Sequence, residues 1–343
     1  MSPQSRILTI VACALGFGML GAASADASYA PINQPGPALE VPRAQLRAAL
    51  RCTSSVSTDP REPILLVPGT TLTPEENFSW NYERALNALA LPYCTIELPN
   101  HAMSDIQVAG EYVVYALRSM SQFGARKAAR KVQVIGYSQG GMVPRWALRF
   151  WPDTRKLIDD DIGLDASNHG TITAESSCVL NGCAPAVWQQ RNTSAFIAAL
   201  NSYQETFPGI SYTEVYSYND EIVVPNTSEE GSSSVHSGGG TIANIAVQQV
   251  CPGHVADHLA MGSYDPVGYA LALDAITHAG PAQAARIGLA VCAEPFQPGV
   301  DPETFATDDA RYDAVIAETF ANYPHVASEP PLKCYVTASC PAR

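Results

Sequence analysis

The stretch Lys131-Val132-Gln133-Val134-Ile135-Gly136-Tyr137-Ser138-Gln139-Gly140-Gly141 constrains the fold more than any other. Its first part, Lys131–Gly136, is short, apolar and β-branched, which reads as a buried strand. Gln139–Trp151 has helical spacing and is closed by Pro152. The strand therefore passes into a helix across Gly136-x-Ser138-x-Gly140 with no room for a loop. A serine on such a turn sits in a strained backbone shape, and glycines two places before and after it let strand and helix approach closely. Its hydroxyl stands at the helix N-terminus, where developing negative charge is favoured.

The same alternation runs along the chain. Ile64-Leu65-Leu66-Val67 reads as a strand ended by Pro68-Gly69-Thr70-Thr71, and Asn77–Leu91 as a helix closed by Pro92. Tyr93–Leu98 is the next strand, and Ser104–Phe123 a long amphipathic helix. Strand, helix, strand, helix, strand, helix implies parallel strands joined by crossovers, an α/β architecture. Ile158–Leu164, Ser211–Tyr218 and Thr241–Val247 read as further strands. Residues 168–192 read as irregular, residues 226–240 as a Ser/Gly-rich surface loop, and Asp301–Tyr323 as a C-terminal helix.

Arg6, the apolar run Ile7–Leu20 and the small residues of Gly21–Ala25 describe a secretory signal peptide, with cleavage near Ala25 or Ala27. Of nine cysteines, Cys13 lies in that segment and eight remain, an even number that implies disulfides in an exported protein. Spacing alone leaves 105 pairings open. No Cys-x-x-Cys occurs and the histidines do not cluster beside cysteines, so neither a metal nor an organic cofactor is expected. The net charge of −13 argues against nucleic-acid binding and against electrostatic attraction to anionic membranes. Asn77, Asn192 and Asn226 each open an Asn-x-Ser/Thr sequon.

A serine hydroxyl needs a base and an orienting acid, and in a strand-elbow-helix context they follow in the order Ser, Asp/Glu, His. Asp220 comes just after the strand containing Val215–Tyr218, where α/β sites are built. His258 lies on a loop leading into a helix. His254 competes with it, and spacing does not separate the two.

Five phrases taken together resemble the lipase B family of α/β hydrolases. They are Pro63-Ile64-Leu65-Leu66-Val67-Pro68-Gly69-Thr70, Ser138-Gln139-Gly140-Gly141, Val187-Trp188-Gln189-Gln190, Asp220-Glu221-Ile222-Val223 and Asp257-His258. They keep a consistent order over about residues 50–292. The resemblance implies an α/β-hydrolase fold, a mostly parallel sheet with helices on both faces. It places the triad on Ser138, Asp220 and His258, and the oxyanion hole on Thr70 and Gln139. It places the substrate pocket on Tyr137, Trp188, Gln190, Ile222 and Val223.

For the cysteines it implies Cys52–Cys94, Cys251–Cys292 and a C-terminal Cys334–Cys340 bridge, leaving Cys178–Cys183 as an addition. Tyr137 stands where the family has tryptophan flooring the alcohol pocket. The family also has an acid two residues before an aromatic near Gly170-Thr171. Here the phrase is Asp165-Ala166-Ser167-Asn168-His169, and the acid is displaced.

The expected organisation is a signal peptide over 1–25, an arm over 26–60 and an α/β-hydrolase domain over 61–325. A lid-like insertion falls at about 172–192, and a disulfide-bearing tail spans 326–343. The expected activity is hydrolysis of carboxylic esters, triacylglycerols foremost, by a secreted monomer in transient contact with a lipid interface. Short or polymeric esters, or transfer of the acyl group to an alcohol, are the alternatives on the same triad.

Overall fold

A computed structural model describes residues 28–123, 130–179 and 181–340. The expected signal peptide lies outside them. Among the described residues, no helix is long and apolar enough to cross a membrane.

Seven strands form one sheet: β1 (Leu50–Cys52), β2 (Ile64–Val67), β3 (Tyr93–Ile96), β4 (Val132–Tyr137), β5 (Ile158–Leu164), β6 (Ser211–Tyr216) and β7 (Thr241–Ala246). Their order is β1-β3-β2-β4-β5-β6-β7. Only β1 runs antiparallel to its neighbour, and every other pairing is parallel. The mostly parallel sheet follows from the alternation seen in the sequence. The N-terminal arm supplies β1 and a short helix, Arg43–Ala49, that packs beside it.

The sheet is buried on both faces, so its strands read as continuous apolar runs. Leu65 and Val67 of β2, with Val132 and Val134 of β4, face one core. Ile64 and Leu66, with Ile135 and Tyr137, face the other. On the first face lie helices α1 (Ile106–Met120) and α2 (Gln139–Phe150), the latter buried along its whole length. Over the carboxyl ends of the strands sit the short helices α3 (Ile172–Cys178) and α4 (Pro185–Gln189), where the sequence reads as irregular. One turn, α5 (His258–Met261), leads to α6 (Pro266–Thr277), which covers the second face. The long α7 (Phe305–Asn322) crosses above.

One difference has a local cause. The helix expected over Asn77–Leu91 is two, Pro74–Phe78 and Tyr82–Ala88. Asn81 interrupts it by capping the second helix at the Tyr82 N–H. Pro266–Thr277 is helical although its sequence is apolar all round, because it is buried and shows no polar stripe.

Four disulfides join Cys52–Cys94, Cys178–Cys183, Cys251–Cys292 and Cys334–Cys340. The first links β1 to β3 across directly paired residues.

Candidate active site

The carboxyl ends of five neighbouring strands converge on one spot. β4 delivers Ser138 into α2 with φ +54°, a left-handed backbone that an L-residue adopts only under constraint. Both flanking glycines are required by space. A Cβ at Gly136 would stand 2.1 Å from the Gly140 carbonyl oxygen, and one at Gly140 would stand 2.2 Å from that of Val67. The Ser138 N–H donates to the Leu164 carbonyl at 2.9 Å, tying the turn to the end of β5.

Asp220 follows β6 and His258 opens α5 after β7. His258 Nε2 is 3.0 Å from Ser138 Oγ, and His258 Nδ1 is 3.0 Å from Asp220 Oδ2. All three residues are buried. The N–H groups of Ile222 and Val223 donate to Asp220 Oδ1, both at 2.8 Å, and Asn226 Nδ2 donates to Oδ2 at 3.2 Å. The backbone N–H of His258 donates to Glu221 at 3.1 Å. The acid is thus held at its carboxylate and the base at its backbone.

His254 does not compete. Its Nε2 is hydrogen-bonded to Asp265, the cap of α6, and that bond raises its pKa.

Thr70 follows β2 and Gln139 is the first residue of α2. Among the described residues neither backbone N–H has a protein acceptor, as expected for groups left open at a strand end and a helix start. Thr70 Oγ1 accepts from Gln139 Nε2 and from Gln190 Nε2, each at 3.0 Å. Behind this loop, buried Asn77 accepts from the Gly69 N–H at 3.0 Å and donates to the Gly262 carbonyl at 2.9 Å.

Ser138 opens onto a cavity of about 410 Å³. Of the expected pocket residues, Tyr137, Gln190 and Ile222 line it, together with Thr70. Apolar walls come from Leu72, Val187, Leu259 and, on α7, Ile316 and Phe320. Two expected lining residues are elsewhere. Trp188 turns away from the cavity and donates its indole N–H to the Val326 carbonyl at 2.9 Å. Val223 is 1% exposed and contributes to the site through the backbone bond to Asp220.

Asp165, just past the end of β5, also belongs to this site. It is fully buried, with one oxygen 3.9 Å from His258 Nδ1. Burial, and then the neighbouring Asp220, push its carboxyl well above the usual range. The signal was available, because an acid just past a strand end is the criterion that picks out Asp220.

Known proteins bear on this arrangement. Residues 99–251 match the family model of class 2 lipases. Over 223 residues, 65% of this chain, the sequence is 34% identical to Lipase B of Pseudozyma antarctica, and the match spans 64% of that relative's length. The crystal structure of Aspergillus fumigatus lipase B matches with a TM-score of 0.76 at 28% identity, covering 89% of this chain and 75% of that one. The sheet order, the strained serine turn and the order Ser, Asp, His along the chain define an α/β hydrolase. Within that superfamily the chain is similar to these two B lipases, and it spans less than two thirds of the length of the first of them.

Proposed function

We propose that the protein is a secreted carboxylic ester hydrolase acting on triacylglycerols through an acyl-enzyme. The observation that carries this reading is the unbroken Ser138–His258–Asp220 chain, two 3.0 Å contacts, opening on an apolar cavity. His258 takes the proton of Ser138 as the hydroxyl attacks the ester carbonyl. The N–H groups of Thr70 and Gln139 hold the oxyanion. Asp220 keeps the His258 tautomer and stabilises its charged form. His258 returns the proton to the leaving alcohol, and water then releases the acid by the same steps.

The walls at Leu72, Val187, Ile222, Leu259, Ile316 and Phe320 favour an acyl chain, since each buried methylene is worth about 0.8 kcal/mol. Export is supported by the four disulfides. The test is hydrolysis of p-nitrophenyl esters from acetate to palmitate, and of emulsified triolein, by the wild type and Ser138→Ala. Long-chain and triolein activity that disappears in the variant supports the reading. Activity restricted to short esters moves the substrate class to soluble esters. A folded but inactive wild type overturns the reading.

A further inference from the structure

Asp165 has no place in the mechanism above, yet it is built into the site at a cost. Its backbone sits at φ +42°, a left-handed shape that a glycine adopts freely and an L-residue does not. It is held there because its N–H continues the sheet by donating to the Val215 carbonyl at 2.8 Å. The result is a side chain with no solvent exposure, directed at the back of the triad. One oxygen each of Asp165 and Asp220 and a ring nitrogen of His258 all lie within 4.8 Å of one another.

Oδ1 of Asp165 accepts the Ser217 N–H at 2.9 Å, while Oδ2 is buried and has no donor among the described residues. The titratable groups acting on it are Asp220, His258, the Tyr137 hydroxyl and, further off, Asp265, itself paired to His254. Among the described residues no lysine or arginine forms an ion pair with Asp165 or Asp220. Two unscreened carboxylates cannot both ionise at such a distance.

We infer that Asp165 is a positioning residue, sharing one proton with Asp220 and so holding Asp220 in line with His258. The inference rests on the triad reading above. Asp165 keeps the proton on Oδ2 and donates it to the Asp220 carboxylate. No proton moves along this bond during catalysis. Asp220 then receives donors from Ile222, Val223, Asn226, Asp165 and His258, and only the last of these moves in the reaction. The pair then carries one negative charge rather than two beside the His258 ring.

Asparagine reproduces this role. Its carbonyl accepts from Ser217, and its amide donates to Asp220 without charge. The test is the pH profile of kcat/KM on a soluble p-nitrophenyl ester for wild type, Asp165→Asn and Asp165→Ala. The expected Asp165→Asn profile has its acid limb unmoved and a rate within about threefold of wild type. Asp165→Ala is expected to lose about tenfold or more in kcat with KM little changed, a loss that asparagine restores.

An acid limb displaced downward by about one pH unit in Asp165→Asn overturns the inference, since it means that a negative charge was removed from beside His258. So does an Asp165→Ala variant equal to wild type. Should Asp165→Ala fail to fold, the Asp165→Asn profile still decides. Should the esterase reading itself fail, the titration of the His258 ring followed by NMR replaces the rate profile. There too the midpoint stays fixed in Asp165→Asn or falls.

Discussion

The phenol of Tyr137 donates to the backbone carbonyl of His258 at 2.9 Å, and the two rings lie 5.0 Å apart. The residue before the nucleophile therefore holds the backbone of the base. Tyr137 is 2% exposed, and its ring is pressed between two glycines. A Cβ at Gly262 would stand 2.4 Å from the ring, and one at Gly69 would stand 2.7 Å from it. One side chain thus ties together the serine turn, the loop bearing Thr70 and the turn bearing His258.

Tyr137→Phe is expected to slow the chemical step and leave binding almost untouched. The His258 carbonyl keeps a longer bond, 3.3 Å, from the Gly262 N–H. The net loss is therefore that of one hydrogen bond, about 1 kcal/mol, or roughly fivefold in kcat. Steady-state kinetics on a soluble ester check this, and a raised KM at constant kcat would contradict it.

At Thr70 the hydroxyl has two acceptor positions and one hydrogen. Gln139 and Gln190 fill both acceptor positions at 3.0 Å, which leaves the hydrogen available to the cavity, where the proposed mechanism would use it as a further oxyanion donor. Thr70→Val should lower kcat by about 10²–10³, and Thr70→Ser should restore most of it. Equal rates for the valine and serine variants would show that the hydroxyl does not act.

What the sequence disclosed and what it hid divide along local and non-local causes. The Ser138 turn was legible because Gly136 and Gly140 answer to neighbours a few residues away or on the adjoining strand. The face presented by Trp188 was not. Its partner, the Val326 carbonyl, is 138 residues distant, and nothing in Val187-Trp188-Gln189-Gln190 specifies it. The sequons show the same limit. Asn77 and Asn226 are 0% and 1% exposed and hydrogen-bonded inside the site, so a glycan fits neither, whereas Asn192 is exposed. Whether Asp257-His258 or His254 faces the serine was decided by the pairing of His254 with Asp265, which spacing does not reveal.

The protein should be more stable in mild acid than in mild base. Asp160 and Asp161 on β5 are both pushed up to about 7, chiefly by burial, and burial holds Glu214 on β6 well above its usual range. In the unfolded chain such groups lose their protons near pH 4. Between about pH 4 and 7 the folded chain therefore binds more protons, and stability falls as pH rises. His254, whose pKa is raised by Asp265, acts in the same direction: its contribution is present below its unfolded value and is lost as pH rises through the folded one. Thermal melts at pH 5 and pH 8 should show the lower midpoint at pH 8. Asp161→Asn, which removes one of the titrating groups, should narrow the gap. A higher midpoint at pH 8 would refute this account.

The cavity roof is stapled. Thr173, Ala174 and Ser177 of α3 line one side of the cavity, and Ile316, Ala317 and Phe320 of α7 line the other. Cys178 ends α3 and is bonded to Cys183, which pairs with Val326, just beyond α7, through two backbone hydrogen bonds of 3.3 and 2.9 Å. The disulfide thus couples the two walls that would have to part to admit a bulky ester. By loop entropy so short a bridge contributes roughly 2 kcal/mol against unfolding of the segment it closes. Replacing both cysteines by alanine should free α3 and raise the jump in rate seen when a triglyceride is taken past its solubility limit. Tributyrin hydrolysis across that limit, in wild type and Cys178→Ala/Cys183→Ala, provides the measurement. An equal jump in the two proteins would mean that the walls move without regard to the staple, or do not move at all.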